Sequence, residues 1–146
     1  MGSPDQSYTR AAIGERRLTK DEGDPLMSDD SAIRDTIQTY LDSMYESSPE
    51  KARAAFHPNA KIIGYLQGEL LQISVDDFAE FVGSQPSAKS NGEAARLDIV
   101  SLNIAGATAV AQVSDDYLGM TFLDNLSLIN VDNRWSIYNN LFPIEV

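Results

Sequence analysis

Two aspartates, Asp115 and Asp124, stand out because each falls on a stretch that otherwise alternates like a half-buried strand. In "FLDNLSLINVDNRWSIYNNLF", residues 122–142, Asp132-Asn133 reads as a two-residue hairpin turn. That turn sets Val131 opposite Arg134, Asn130 opposite Trp135 and Leu128 opposite Ile137. Continued without a break, it sets Leu126 opposite Asn139 and Asp124 opposite Leu141. Opposed residues share a face. One face then carries Phe122, Asp124, Leu126, Leu128, Trp135, Ile137, Asn139 and Leu141, while the other carries Ser127, Ile129, Tyr138 and Asn140. A carboxylate on so apolar a face is costly unless it is hydrogen-bonded, paired or near water. The simpler reading puts Asp124 at the mouth of a cavity, partly solvated or bonded to a helix end. The functional reading makes it a pocket carboxylate of raised pKa that holds a ligand or moves a proton.

The preceding hairpin behaves the same way. With Ala105-Gly106 as its turn, Leu102 faces Ala109 and Val100 faces Ala111. The apolar face Val100, Leu102, Ile104, Ala109, Ala111, Val113 then runs on into Asp115 and Tyr117. A β-bulge in this strand would exchange Asp115 for Asp116. Either Asp115 or Asp124 could serve as a general base, with His57 or a phenol from Tyr40, Tyr45 or Tyr65 as proton donor. Tyrosines on amphipathic elements more often fill the core with their hydroxyls satisfied. His57, the only histidine, precedes Pro58 at a helix end, where capping or packing suits it better than catalysis. The ligand-lining set expected here is Asp124, Asn139, Trp135, Tyr117, Tyr40 and Tyr65.

No set of residues has metal-ligand spacing, so no metal site is expected. "NIAGATA" is a hairpin turn and no phosphate-cradling loop, and no Gly-x-Ser-x-Gly elbow occurs. "DEGD" at 21–24 is too short for a calcium loop. No cofactor is expected.

Three helices and six strands must position these groups. Ile33, Ile37, Tyr40, Leu41 and Met44 recur at helical spacing, with Asp29, Asp30 or Ser31 to cap the start and an end near Glu46. "SSPEKARAAF" starts a second helix with Ser48 as cap and Pro49 in first place, stopping at "FHPNA". "AKIIGYLQGELLQIS" is a hairpin turning at Gln67-Gly68. "SVDDFAEFVGSQ" is a third helix, capped by Ser74, striped by Val75, Phe78, Ala79 and Val82, and ended by Gly83. After the polar loop "PSAKSNGEA", strands follow at about 94–104, 108–118, 121–131 and 134–144. Helices first and strands last predict an α+β domain: N-terminal helices on one face of a strongly curved, mostly antiparallel sheet, a cone whose mouth suits a small ligand.

The chain has 146 residues, one domain's worth, and 42% are hydrophobic, enough for one core. Residues 1–26 hold charges of both signs without periodicity. They read as a flexible leader, an addition from cloning or an overcalled start ahead of a natural one at Met27, with a short helix over 8–18 if that stretch docks. Residues 27–146 read as a single domain. The net charge of −11 is dispersed and argues against nucleic acid and anionic membrane as partners. No apolar run approaches the roughly 18 residues that span a bilayer, and a cytoplasmic location is expected. Cysteine is absent, so there is neither a disulfide framework nor thiolate chemistry.

"SAIRDTIQTYLDSMYESSPEKARAAFHPNAKIIG", "VDDFAEFV" and "FLDNLSLINVDNRWSIYNNLF" together resemble the nuclear-transport-factor-two-like superfamily. Within it they are most similar to the lumazine-binding, SnoaL-like branch, over about residues 30–144. The most specific pieces are "FHPNA" and the ending in which Asp, a leucine-rich strand, "VDNRW" and "YNNLF" follow in order. The resemblance implies the cone fold and a homodimer packed through the outer sheet face. It also implies kinship with ketosteroid isomerase, scytalone dehydratase and polyketide cyclases, which do acid–base chemistry in the cone, and with members of no known chemistry. His57-Pro58 match the family's His-Pro, Asp124 its strand aspartate, Trp135 its tryptophan and Asn139 its asparagine. Asn140 stands where many members have lysine, a place expected on the outer face.

Three functions follow. The first is a dimeric binder of a small, partly apolar organic molecule. The second is an isomerase, dehydratase or cyclase with Asp115 or Asp124 as base. The third is a non-catalytic interaction module whose cone is filled by Phe56, Phe78 and Phe122. An open, polar-mouthed cavity favours the first two, and a carboxylate within about 3 Å of an aromatic hydroxyl or histidine favours the second.

Overall fold

A computed structural model of the chain describes residues 28–143. The leader at 1–26, the helix considered at 8–18, Met27 and the last residue of the expected final strand lie outside the described residues.

Helix α1, Asp29–Glu46, starts where Ser28 accepts the Ser31 amide at 3.1 Å, one residue before the expected caps. Asp29 and Asp30 face the positive end of its dipole, and it stops at Ser47, which is left-handed at φ 55°. Its buried stripe is Ile33, Ile37, Tyr40, Leu41 and Met44, as the spacing predicts. Helix α2, Pro49–Ala55, is capped by Ser48, and helix α3, Val75–Ser84, by Ser74. Each cap satisfies an amide that the first turn leaves without a partner.

The strands are β1 Phe56–Leu66, β2 Glu69–Ser74, β3 Leu97–Ala105, β4 Thr108–Tyr117, β5 Met120–Val131 and β6 Arg134–Pro143. They form one six-stranded sheet in the order β2-β1-β6-β5-β4-β3. All pairs are antiparallel except β1–β6, so the sheet is mostly antiparallel and the fold is α+β, as expected. The core lies between the helices and one sheet face, from Ile33 and Phe56 to Leu126, Leu128 and Ile137. Where β1 meets the end of β6, a Cβ on Gly64 would collide with the Phe142 carbonyl and ring, so only glycine lets the two strands lie this close.

Asp132 and Asn133 both have positive φ, 54° and 66°, the backbone of a two-residue hairpin turn. The pairs Val131–Arg134, Asn130–Trp135 and Leu128–Ile137 form as predicted. The register then slips at Tyr138, giving Ser127–Asn139, Leu126–Asn140 and Asn125–Leu141. Asn139 therefore does not face Leu126, and Leu141 does not face Asp124. The extra residue leaves Tyr138 and Asn139 off the core face, turns Leu141 out at 48% exposure and buries Asn140 and Phe142. Asn140, expected outside, is inside.

A second bulge corrects the other hairpin. Its pairs are Ile104–Ala109 and Leu102–Ala111, which moves the turn one residue on, to Gly106-Ala107. Between Ile99 and Ser101 the register slips, so Val100 points out at 58% exposure while Ile99 and Leu97 take the core side. The bulge sits in β3 and not in β4. Strand β4 alternates without interruption, so Asp115 is buried and Asp116 exposed.

Candidate functional site

Asp124 pairs with Val113 and Asp115 with Phe122 across β4 and β5. The two aspartates are thus diagonal neighbours on the core face, close enough for their carboxyls to interact. Each is 1% exposed. Tyr40, brought over them by α1, donates its hydroxyl to Asp124 Oδ2 at 2.9 Å. Asn140 of β6 donates Nδ2 to that hydroxyl oxygen at 3.2 Å. Three strands and a helix therefore converge on one polar cluster in an apolar core.

The two carboxyls are not equivalent. Neither oxygen of Asp115 has a hydrogen-bond donor among the described residues. Its polar neighbour is the other carboxyl, and two carboxyls bond each other only when one is protonated. Burial, and then the neighbouring Asp124, push Asp115 up to about 10. Burial also raises Asp124, while the hydrogen bond from the Tyr40 hydroxyl favours its ionised form. Burial and the repulsion of two adjacent carboxylates favour a pair that retains a proton, and Asp124, which accepts the Tyr40 hydroxyl, is the better placed of the two to carry charge. Tyr40 is held well above its ordinary value by burial and then by the two carboxylates, so it remains a donor.

Of the residues expected in the site, Asp124, Asp115 and Tyr40 come together. Tyr117 lies two residues beyond Asp115 on the same face of β4, with its hydroxyl buried and unpartnered. Burial pushes that hydroxyl up to about 12. Trp135 is buried but ties sheet to helix: its Nε1 donates to Asp29 Oδ1 at 3.1 Å and its carbonyl accepts from Thr36 Oγ1 at 3.1 Å. His57 stacks on Tyr138 with ring centres 4.7 Å apart, and its Nδ1 accepts the Asn59 amide. Tyr65 is 59% exposed beside Leu70 and Pro143. Asn139 lies opposite Ser127 and Lys61. Asn140 is the member that sequence reasoning missed. Its only signal is the pair Leu141-Phe142, of which one must leave the core and the larger stays.

Phe56 and Phe78 pack on Tyr40, with ring centres 5.5 Å and 6.1 Å away, and fill the cone beside the carboxyls. A cavity of about 300 Å³ opens next to this plug. Its wall runs from Leu41 and Tyr45 of α1, through Glu93 of the α3–β3 loop, to Tyr117 and the β4–β5 turn. Asp115, Asp124 and Asn140 are absent from that wall, and Tyr117 is the link between cavity and carboxyl pair. Among the described residues no cluster of His, Cys, Asp and Glu suits a metal ion, and no helix is long and apolar enough to cross a membrane.

Helices laid on one face of a six-stranded, mostly antiparallel sheet are the architecture of the nuclear-transport-factor-two-like class. Residues 28–143 match the family described as "Putative lumazine-binding", and the chain belongs to that family. A solved NTF2-like protein of unknown function from Silicibacter pomeroyi superposes with a TM-score of 0.73 at 25% identity, covering 78% of this chain and 93% of its own. One from Methylobacillus flagellatus superposes at 0.71 and 26% identity, covering 83% and 97%. A cystatin-like domain from Nostoc punctiforme, at 0.61 and 20% identity over 81% and 78%, shares the fold. Among curated proteins, one named aldolase FrzH, from a Cladobotryum species, is 25% identical over 115 residues, 79% of this chain and 90% of that protein.

Proposed function

We propose that the protein binds a small, partly apolar molecule bearing an enolisable carbonyl group and moves a proton on it. The observation that carries this reading is the 2.9 Å bond from the Tyr40 hydroxyl to Asp124, beside a second buried carboxyl. A carboxylate within about 3 Å of an aromatic hydroxyl supports an acid–base site over a simple binding cavity. Burying two carboxyls side by side is costly, and a fold gains nothing structural from it that an apolar pair would not supply.

Asp124 as base would remove the proton on the carbon next to the carbonyl, and the C–H electron pair would enter the enolate. Asp115, which holds the pair's proton, would donate to the enolate oxygen. Return of the proton at another carbon completes an isomerisation. Expulsion of a β-hydroxyl as water completes a dehydration. Attack of the enolate on a second carbonyl forms the carbon–carbon bond of an aldol addition or a cyclisation. The relative named an aldolase supports the last branch.

Binding without chemistry is the second reading, supported by a cavity that lies beside the carboxyls and not over them. A filled interaction module is weaker, because Phe56 and Phe78 fill only the part of the cone next to Tyr40. We also propose a homodimer acting in the cytoplasm. Exposed Val110, Tyr138 and Leu141 on the outer sheet face supply apolar area for the dimer contact.

The test is deuterium incorporation from heavy water into a panel of enolisable ketones, read by mass spectrometry. Wild type is expected to accelerate exchange of at least one ketone, and Asp124→Asn to lose roughly 10²–10⁴-fold of that rate. A wild-type protein that binds the ketones yet exchanges none above buffer would leave binding and remove catalysis.

A further inference from the structure

We infer that the cavity of about 300 Å³ beside the carboxyl pair is a ligand vestibule that selects an organic cation, a protonated amine carried on an apolar ring. The inference rests on the reading that a small molecule binds in the cone, and it does not require proton transfer.

The charges in the wall are of one sign. Glu93 and Asp116 line it, and among the described residues no lysine, arginine or histidine does. Asp116 is already neutralised: Arg96 Nη2 and Nε reach it at 2.9 and 3.0 Å. That guanidinium also gives Nη1 to Asp98 at 2.7 Å and shares Nη2 with Ser114 at 2.9 Å, so it has little left to offer an anion. Glu93 is different. Its backbone closes the vestibule by accepting the Tyr45 hydroxyl at 2.8 Å, while its carboxylate has no ion pair among the described residues.

The floor points the same way. Tyr117 is 9% exposed and its hydroxyl has no hydrogen-bond partner among the described residues, a group that an ammonium N–H would satisfy. Its ring and that of Tyr45 supply the negative aromatic faces on which a cation is attracted. Asp115 lies two residues before Tyr117 on the same face of β4, beside Asp124, so the carboxyl pair adds acidic groups behind this floor. An anionic ligand would be repelled from both levels with no counter-ion in the wall. An amine is attracted at both, and its apolar ring meets Leu41, Ala94 and Ala95.

Three probes of like shape and different charge test this: phenethylamine, phenethyl alcohol and phenylacetate, titrated while NMR follows the amides of Ala94, Ala95, Leu118 and Gly119. The amine is expected to shift these amides and to bind about two- to fivefold more tightly than the alcohol, an advantage that shrinks as salt is raised. Phenylacetate is expected to bind weakest. Glu93→Gln should remove the advantage of the amine and leave the alcohol unchanged, and Tyr117→Phe should weaken amine and alcohol together. Phenylacetate binding as well as the amine, an alcohol equal to the amine in wild type, or no shift at these amides with any probe would each overturn the inference. Loss of deuterium exchange with the charge selection intact would count against catalysis alone.

Discussion

Asp115 sets the character of the site because it is buried without a donor. Its pKa moves from an ordinary 3.8 to about 10, through burial first and Asp124 second. Between those values the folded chain holds a proton that the unfolded chain releases. The stabilisation is therefore complete below the ordinary value and is lost as pH rises towards the folded one. Asp115→Asn removes the titrating group while its amide can donate to Asp124. The variant is expected to exceed wild type by about 1–3 kcal/mol at about pH 9 and to lose that margin at about pH 4. Denaturant unfolding across pH reads the difference, and equal slopes for the two proteins would show that Asp115 does not carry the proton. Asp116, one residue on, is held below its usual range by Arg96 and Thr121, so it titrates in the opposite sense. The comparison must be made within the Asp115 pair of proteins.

The helices, the four long strands and the turn at Asp132-Asn133 were legible because each rests on local chemistry: a serine cap, an apolar stripe, two residues that tolerate positive φ. Asp115 and Asp124 were legible because β4 alternates strictly and β5 keeps parity with it. Asn140 was not. In "IYNNLF" either amide can take either face and the Leu141-Phe142 pair is the one hint of a bulge, so the choice falls to tertiary packing of Phe142 over Gly64. The same blindness put Val100 inside, because the bulge in β3 answers to the core positions of Leu97 and Ile99. The slip in β6 predicts opposite fates for two adjacent asparagines. Asn140→Ala removes the donor to Tyr40 from a buried cluster and is expected to cost about 1–3 kcal/mol and to slow ketone exchange. Asn139→Ala is expected to stay within about 1 kcal/mol of wild type with exchange intact. Equal losses at both positions would argue for the unbulged register.

At the scale of the molecule, one sheet face is closed by helices and the other exposes Val110 at 54%, Leu141 at 48% and Tyr138 at 39%. Exposed apolar residues in this number on one sheet face suit a partner of the same kind, and a self-complementary contact about a twofold axis is the simplest arrangement. Val110→Glu is expected to shift the protein from dimer to monomer in sedimentation, with the carboxyl pair unaffected on the opposite face. A monomeric wild type would contradict the proposed assembly and leave the site untouched. The acidic surface, −11 for 146 residues, agrees with the vestibule in disfavouring anions at long range as well as at contact.

Asp115 and Asp124 are proposed to share one proton at neutral pH. NMR of isotope-labelled aspartate carboxyl carbons, with Asp115→Asn to assign the pair, measures it directly. One buried carboxyl is expected to stay protonated through neutral pH and to give up its proton only towards about 10. Two carboxyls that are both ionised at neutral pH, titrating in the ordinary aspartate range, would contradict it.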